Sequence, residues 1–390
     1  MIARISMHYK YPVVSAFLRS FVPVIHHNKN YPFYNLQQKN MLSTSTSKER
    51  VCLIGSGNWG SVVCKIIGQN VLKHSNQFEP EVRLWVFEEM FKGEKLTTLI
   101  NREHENPKYL PGHKLGTNIR ATPDLLEACQ DATVLVFVLP HQFVRGVCDK
   151  MMGHIAPHAK AISLIKGLEI NAQGVTLFSE EISRRLGINV ASLSGANIAN
   201  EVAEEKFCET TIGSRSPDIR DGEMFFNLFN TPYFRVNVIS DSAGVELCGA
   251  LKNVVAVGAG LSDGLGYGSN TKAAIVRRGL LEMRKFGQTF FGDAVQTDTF
   301  FESCGVADLL TTCMGGRNRK VAEAFIKTGK PIDVLEKELL NGQKLQGTLT
   351  AKEVNEFLTA RDMVNDFPLF TTVYRIIYQG LEPEAIVRDI

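Results

Sequence analysis

Histidine is missing from the second half of this 390-residue chain, since all nine histidines lie at or before His158. A histidine–carboxylate acid/base pair within that half is excluded. No H-E-x-x-H run and no paired Cys/His spacing occurs, so no metal is expected. The eight cysteines form no C-x-x-C pair and no regular framework. Cys64, Cys148 and Cys248 sit inside apolar runs, where a free thiol behaves as a small hydrophobe, and they read as reduced thiols of an intracellular protein. No uninterrupted apolar run approaches the roughly 18–20 residues of a membrane helix. Charge of one sign is also scarce. The net charge is +2, with acids and bases mixed throughout, and no basic face marks a nucleic-acid partner. Acids are absent before Glu49, although Arg4, Lys10, Arg19, Lys29 and Lys39 are present. An acid-free, basic, Ser-containing leader over residues 1–47 fits an organelle transit peptide, and equally an extension with no address. Met41 offers a second start just before the first strand.

What is present is ordinary for a globular protein of two domains, with 44% hydrophobic and 22% charged residues. The organising stretch is Val51–Gly60, V-C-L-I-G-S-G-N-W-G. Four apolar residues run into Gly55, Gly57 and Gly60, and a helix-compatible run follows to Ile67. Gly55 permits a sharp turn, Gly57 lets phosphate approach the backbone, and Gly60 lets helix and strand pack closely. The helix N-terminus adds free N–H groups and a positive dipole end. Glu81–Phe87 reads as the second strand. Glu88 follows it about 30 residues after the glycines, farther than the usual 20 for a ribose carboxylate, and no arginine beside Phe87 awaits a 2′-phosphate, which leans toward NAD over NADP.

Met90–Asn101 reads as a helix, Glu105–Gly116 as a loop and Asp124–Cys129 as a short helix. Strands are predicted at Ala132–Leu139, Ala161–Ile165, Val190–Leu193, Thr210–Gly213 and Phe234–Val238. Polar or glycine-rich residues recur where strands stop, which places Phe143, Lys166, Asn197 and Ala199 along one crevice. Past Ser240 the pattern turns helical, at Val245–Ala259, Thr271–Phe290, Phe300–Thr312, Asn318–Ile326, Ile332–Leu340 and Ala351–Thr359. The expected fold is α/β, with a Rossmann-type, mostly parallel sheet over residues 48–238 and an all-helical substrate domain over residues 239–390.

Lone charges in apolar helical segments are the chemical candidates. Lys252 lies in G-A-L-K-N-V-V-A-V-G-A-G; it either snorkels to a surface or works as an acid/base lysine with a lowered pKa. Asp308, in C-G-V-A-D-L-L-T-T-C, needs a partner, and Lys166 or Lys252 is the natural one. Gly315-Gly316-Arg317-Asn318-Arg319 is either a phosphate cradle or a glycine-capped helix boundary. His141, beside Pro140, reads as structural, as does Cys304. The loop Asn341–Gly347 either closes over a ligand or is an ordinary connection.

G-S-G-N-W-G, F-V-L-P-H-Q-F, L-I-K-G, G-A-N-I-A, K-F-C-E-T-T-I-G, G-A-L-K-N-V-V-A-V-G-A-G, S-C-G-V-A-D-L-L-T-T-C, G-G-R-N-R-K-V-A-E-A-F and N-G-Q-K-L-Q-G-T, in this order, resemble the NAD-dependent glycerol-3-phosphate dehydrogenases of the eukaryotic cytosolic type. The resemblance runs from Val51 to the C-terminus. It implies hydride transfer between sn-glycerol 3-phosphate and NAD, a cytoplasmic homodimer, and no nucleic-acid or membrane partner. It implies that Gly55, Ser56, Gly57, Asn58, Trp59 and Gly60 hold the NAD pyrophosphate, with Phe87, Phe143 and Ala199 lining the cofactor site. Lys252 would accept the substrate's hydroxyl proton beside Lys166 and Asp308. Lys166, Asn253, Thr312, Arg317 and Asn318 would bind substrate, with Arg317 on its phosphate and also in reach of the cofactor. Lys344 and Gln346 would reach the cofactor from the helical half. The chain departs from the family in its leader and at Met314, where an aromatic is expected. Other two-domain dehydrogenases and a non-enzymatic NAD(H)-sensing module are the rival readings.

Overall fold

Strands β1 (Glu49–Ile54), β2 (Phe78–Trp85), β5 (Ile119–Thr122), β6 (Val134–Phe137), β7 (Lys160–Ser163), β10 (Asn189–Ser194), β11 (Cys208–Gly213) and β12 (Phe234–Ile239) form one eight-stranded sheet in the order β12-β11-β10-β7-β6-β1-β2-β5. Two hairpins stand apart, β3 (Met90–Phe91) with β4 (Glu94–Lys95), and β8 (Glu169–Asn171) with β9 (Gly174–Thr176). The coordinates are a computed structural model and describe residues 47–390 except 172, 173, 217 and 341. The leader reading and Met41 lie outside the described residues.

β6, V-L-V-F, is buried along its whole length, as a parallel strand covered on both faces must be. β1 sits between β2 and β6, where the strand order reverses, and the crevice opens at the carboxyl ends of these strands. Helix α1 (Asn58–Lys73) follows the glycine turn. α2 (Leu96–Glu103), α3 (Leu125–Cys129), α4 (Val144–Met151), α5 (Phe178–Leu186), α6 (Ala199–Ala203) and α7 (Ile219–Phe229) complete the layers.

β11 pairs antiparallel to β10, and β12 parallel to β11. The chain therefore leaves the sheet on the side away from the crevice. α8 (Ser242–Gly264) carries it back beside β10, with the Ser192 hydroxyl donating to the Ser242 carbonyl at 2.7 Å and Gly249 against the Ser194 side chain. Ten residues into α8 stands Lys252. α8 is long and apolar enough to cross a membrane, and 94% of its most apolar stretch is buried inside the protein, at the centre of the largest core cluster. Around it pack α9 (Ser269–Phe291), α10 (Asp308–Gly315), α11 (Arg317–Thr328), α13 (Gln346–Thr359), α14 (Pro368–Gln379) and α15 (Ala385–Arg388), while α12 (Ile332–Leu340) packs on α11.

Three expected elements differ. The Met90–Asn101 helix is a hairpin followed by α2, because Lys92 (φ 51°) and Gly93 (φ 88°) turn the chain in the left-handed region. The second strand starts and ends earlier than Glu81–Phe87, and a register irregularity opposite Glu49 and Val51 accommodates Pro80. Phe300–Thr312 is not one helix. A 3-10 turn (Thr297–Phe301) and a π turn (Ser303–Ala307) precede α10, and a Cβ on Gly305 would overlap the Phe300 backbone. The eight cysteines carry free thiols, Cys52 and Cys129 standing with their Sγ atoms 3.8 Å apart.

Candidate active site

At the carboxyl end of β1, Gly55 adopts φ +119°, and a Cβ there would overlap the Val138 carbonyl oxygen at the end of β6. A Cβ on Gly60 would overlap the Gly55 carbonyl oxygen. These two glycines seat the turn tightly against its surroundings. Gly57 is different: it is exposed, and a Cβ there meets nothing within 4 Å. No side chain caps α1 and no acid stands in its first turn. The open side of the turn thus presents free backbone N–H groups at the positive end of a helix, a cradle that fits a pyrophosphate. Phe87 (75% exposed) and Phe143 (56% exposed) stand past the ends of β2 and β6, on either side of β1. Ala199 opens α6, and Asn58 reaches Asn200 on the same helix at 3.2 Å. The Trp59 ring packs against Phe234, so only its backbone faces the turn. Glu88 accepts hydrogen bonds from the backbone N–H (3.2 Å) and hydroxyl (2.6 Å) of Thr97, which ties it to the start of α2.

The lone charges meet. Lys252 is 4% exposed and its ammonium contacts Asp308 Oδ2, while the half-exposed Lys166 stands 3.3 Å from the same oxygen. Asp308 begins α10 directly after the π turn, a local distortion that recurs at functional sites. Burial lowers the Lys252 pKa to about 7, the nearby Lys166 lowers it too, and Asp308 opposes both. Asn253, next to Lys252, accepts a hydrogen bond from Asn318 (3.0 Å), whose own amide oxygen accepts the Gly347 N–H (2.9 Å). Helices α8, α11 and α13 are joined at that point. The Thr312 hydroxyl donates to the Asp308 carbonyl at 2.6 Å.

Of the two arginines in G-G-R-N-R, Arg319 is held by Asp263 (2.8 Å) and Glu323 (2.8 Å). Arg317 is exposed and donates to Gln343 (2.6 Å) in the loop before α13. Lys344 donates to the buried Glu336 at 2.7 Å, and Gln346 opens α13. Glu336 and Asp263 escaped the reading from sequence, and Gln343 entered it only as part of the Asn341–Gly347 loop, because a polar residue that holds another carries no local signature. His141 stacks on Phe178 at 5.5 Å, in keeping with a structural role. Met314 is 73% exposed, so an aromatic is not needed there for packing. Among the described residues, no group of three His, Cys, Asp or Glu side chains is placed to hold a metal.

Residues 50–219 match the N-terminal part, and residues 241–388 the C-terminal part, of the NAD-dependent glycerol-3-phosphate dehydrogenases. The chain belongs to the NAD-dependent glycerol-3-phosphate dehydrogenase family. Human cytoplasmic glycerol-3-phosphate dehydrogenase [NAD(+)] is 56% identical over 334 residues, 86% of this chain and 95% of that protein. Mouse glycerol-3-phosphate dehydrogenase 1-like protein is 57% identical over 331 residues, 85% and 93% of the two chains. The solved glycerol-3-phosphate dehydrogenase of Saccharomyces cerevisiae superposes with a TM-score of 0.84 at 47% identity, covering 87% of this chain and 98% of that one. As a member of this dehydrogenase family the chain is an NAD-dependent oxidoreductase.

Helices α8 and α11 meet at a close glycine contact. A Cβ on Gly260 of α8 would overlap the Arg319 carbonyl oxygen of α11. Gly260→Ala must push α11 away, and Arg317 and Asn318 move with it. The expected result is a roughly tenfold or larger rise in substrate KM with a smaller effect on NADH affinity, and a stability loss of about 1–3 kcal/mol. Steady-state kinetics, NADH titration and thermal denaturation check it.

Proposed function

We propose that this chain interconverts sn-glycerol 3-phosphate and dihydroxyacetone phosphate, with residues 48–238 holding NAD and residues 239–390 choosing the substrate. The observation that carries the residue roles is the almost fully buried Lys252 in contact with Asp308, where burial lowers the lysine pKa to about 7. Gly55–Gly60 would hold the pyrophosphate, Phe87, Phe143 and Ala199 would line the cofactor site, and Lys344 and Gln346 would approach it from the helical half. When bound, NAD supplies the acceptor for the hydride from C2. In that direction the neutral Lys252 amine takes the C2 hydroxyl proton. In the other, the Lys252 ammonium returns it, and Lys166 stabilises the charge developing on oxygen. Asp308 holds both ammonium groups in place. Asn253, Asn318 and Thr312 orient the substrate, and the Arg317 fork takes its phosphate, positioning C2 through remote binding energy.

The test is NADH oxidation with dihydroxyacetone phosphate against unphosphorylated dihydroxyacetone. A large preference for the phosphorylated ketone is expected, and equal rates would overturn the substrate assignment. The human relative is named cytoplasmic, and we extend that location to this chain together with a homodimeric state. Light scattering checks the dimer. Fluorescent fusions of the full chain and of a chain beginning at Met41 check the location, and import of the full chain into an organelle would overturn it.

The Lys252 pKa fixes the sign of the pH dependence. The neutral amine is the base, so alcohol oxidation falls as pH drops below about 7. The ammonium is the acid, so ketone reduction falls as pH rises above it. Lys166→Met removes a neighbouring positive charge that lowers the Lys252 pKa, so the inflection moves to higher pH in both directions. Profiles of kcat over the neutral range measure it, and an unmoved inflection would uncouple the two lysines.

A further inference from the structure

The loop between α2 and β5 reaches the back of the glycine turn. Asn106 in this loop is 0% exposed. Its Nδ2 donates to the Ser56 carbonyl at 2.8 Å and lies 2.9 Å from the Ser61 hydroxyl. The Ser61 hydroxyl donates to the same Ser56 carbonyl at 3.2 Å. Asn106 Oδ1 accepts the Tyr109 N–H at 3.2 Å, and the Asn58 side chain donates to the Tyr109 carbonyl at 2.7 Å. A side chain buried this completely, with three hydrogen bonds, fixes the orientation of what it touches.

What it touches is one peptide plane. In a trans peptide the C=O and the following N–H point in opposite directions. The Ser56 carbonyl is drawn inward by two buried donors, so the Gly57 N–H points outward. Outward is the open side, where a Gly57 Cβ would meet nothing within 4 Å. Both donors leave the Ser56–Gly57 plane no freedom to rotate its N–H away from an arriving anion.

We infer that Asn106 is a positioning residue for the cofactor: by holding the Ser56 carbonyl from behind, it aims the Gly57 N–H at the pyrophosphate. This rests on the NAD reading of the glycine turn and deepens it. Asn106 itself is fully buried and acts through the Ser56–Gly57 peptide. Its loss costs the preorganisation of one charge-assisted hydrogen bond, an effect confined to ligands that carry the pyrophosphate.

The test is equilibrium binding to the full chain without substrate, followed by tryptophan fluorescence on titration with NADH, ADP-ribose and adenosine. In Asn106→Ala the Kd for NADH and for ADP-ribose rises about tenfold, while adenosine, which lacks the pyrophosphate, binds as before. Ser61→Ala, which removes the second donor and one acceptor of Asn106 Nδ2 but leaves the Asn106 bond to the Ser56 carbonyl, shows the same pattern at two- to threefold. Unchanged NADH binding in a folded Asn106→Ala, or an equal loss for adenosine, overturns the inference. If Asn106→Ala fails to fold, Ser61→Ala decides alone, and selective weakening supports the inference where no change overturns it. A wild-type chain that binds no NADH would instead overturn the cofactor reading itself.

Discussion

Lys252→Ala is expected to lose about 10³- to 10⁴-fold in kcat in both directions while NADH binding is retained. That range is the upper part of the roughly 10²- to 10⁴-fold that a positioned general acid/base contributes. Lys252 is 4% exposed and in contact with Asp308, so the substitution also leaves a cavity and removes one partner of a buried carboxylate. Breaking a buried pair costs about 3–5 kcal/mol of stability when nothing compensates. Asp308 retains Lys166 at 3.3 Å, which places the loss below that range. Lys252→Arg separates the two effects. The guanidinium keeps Asp308 paired, yet with a pKa above about 12 it cannot give up its proton near neutrality. Lys252→Arg should therefore be nearly as inactive as Lys252→Ala and distinctly more stable. Stopped-flow single turnovers and thermal denaturation of the three proteins measure this, and a Lys252→Arg enzyme with near-normal turnover would remove the lysine from proton transfer.

Arg317→Ala is expected to lower kcat/KM for dihydroxyacetone phosphate by about 10²- to 10³-fold, the equivalent of about 3–4 kcal/mol for two charge-assisted hydrogen bonds. For unphosphorylated dihydroxyacetone the same variant should lose far less, because the guanidinium acts mainly on the phosphate. Arg317→Lys should recover only part of the loss, mainly as a raised KM, since an ammonium lacks the planar fork. Gln343→Ala gives a smaller effect of the same kind, because Gln343 holds Arg317 at 2.6 Å and contributes no charge. A uniform loss on both ketones would place the phosphate elsewhere.

The turn at Gly55–Gly60 was legible because its constraints are local. Backbone conformation, the need to lack a Cβ and the approach of a helix are all set within ten residues. Lone charges in apolar helices were legible for a related reason: a buried charge requires a partner, whatever the fold. The Met90–Asn101 and Phe300–Thr312 readings failed where periodicity was overridden, by a left-handed turn at Lys92–Gly93 in one case and by the backbone contact of Gly305 with Phe300 in the other. Asn106 was invisible because an asparagine in a polar loop looks the same whether it faces water or holds a peptide plane.

Sequence alone thus determined that a dinucleotide turn precedes a helical half carrying an isolated lysine and an isolated aspartate, with the match to one dehydrogenase family running through both. Tertiary structure decided which groups meet. Lys166, Lys252 and Asp308 converge because β11 runs against β10, so that the chain exits away from the crevice and α8 must return along the sheet. It also gave different partners to Arg317 and Arg319, two residues apart and alike in sequence. Asp263 and Glu323 hold the second, and the first is exposed and donates to Gln343 in the loop before α13. Pairing of charges depends on distance through space, and a linear pattern records only distance along the chain.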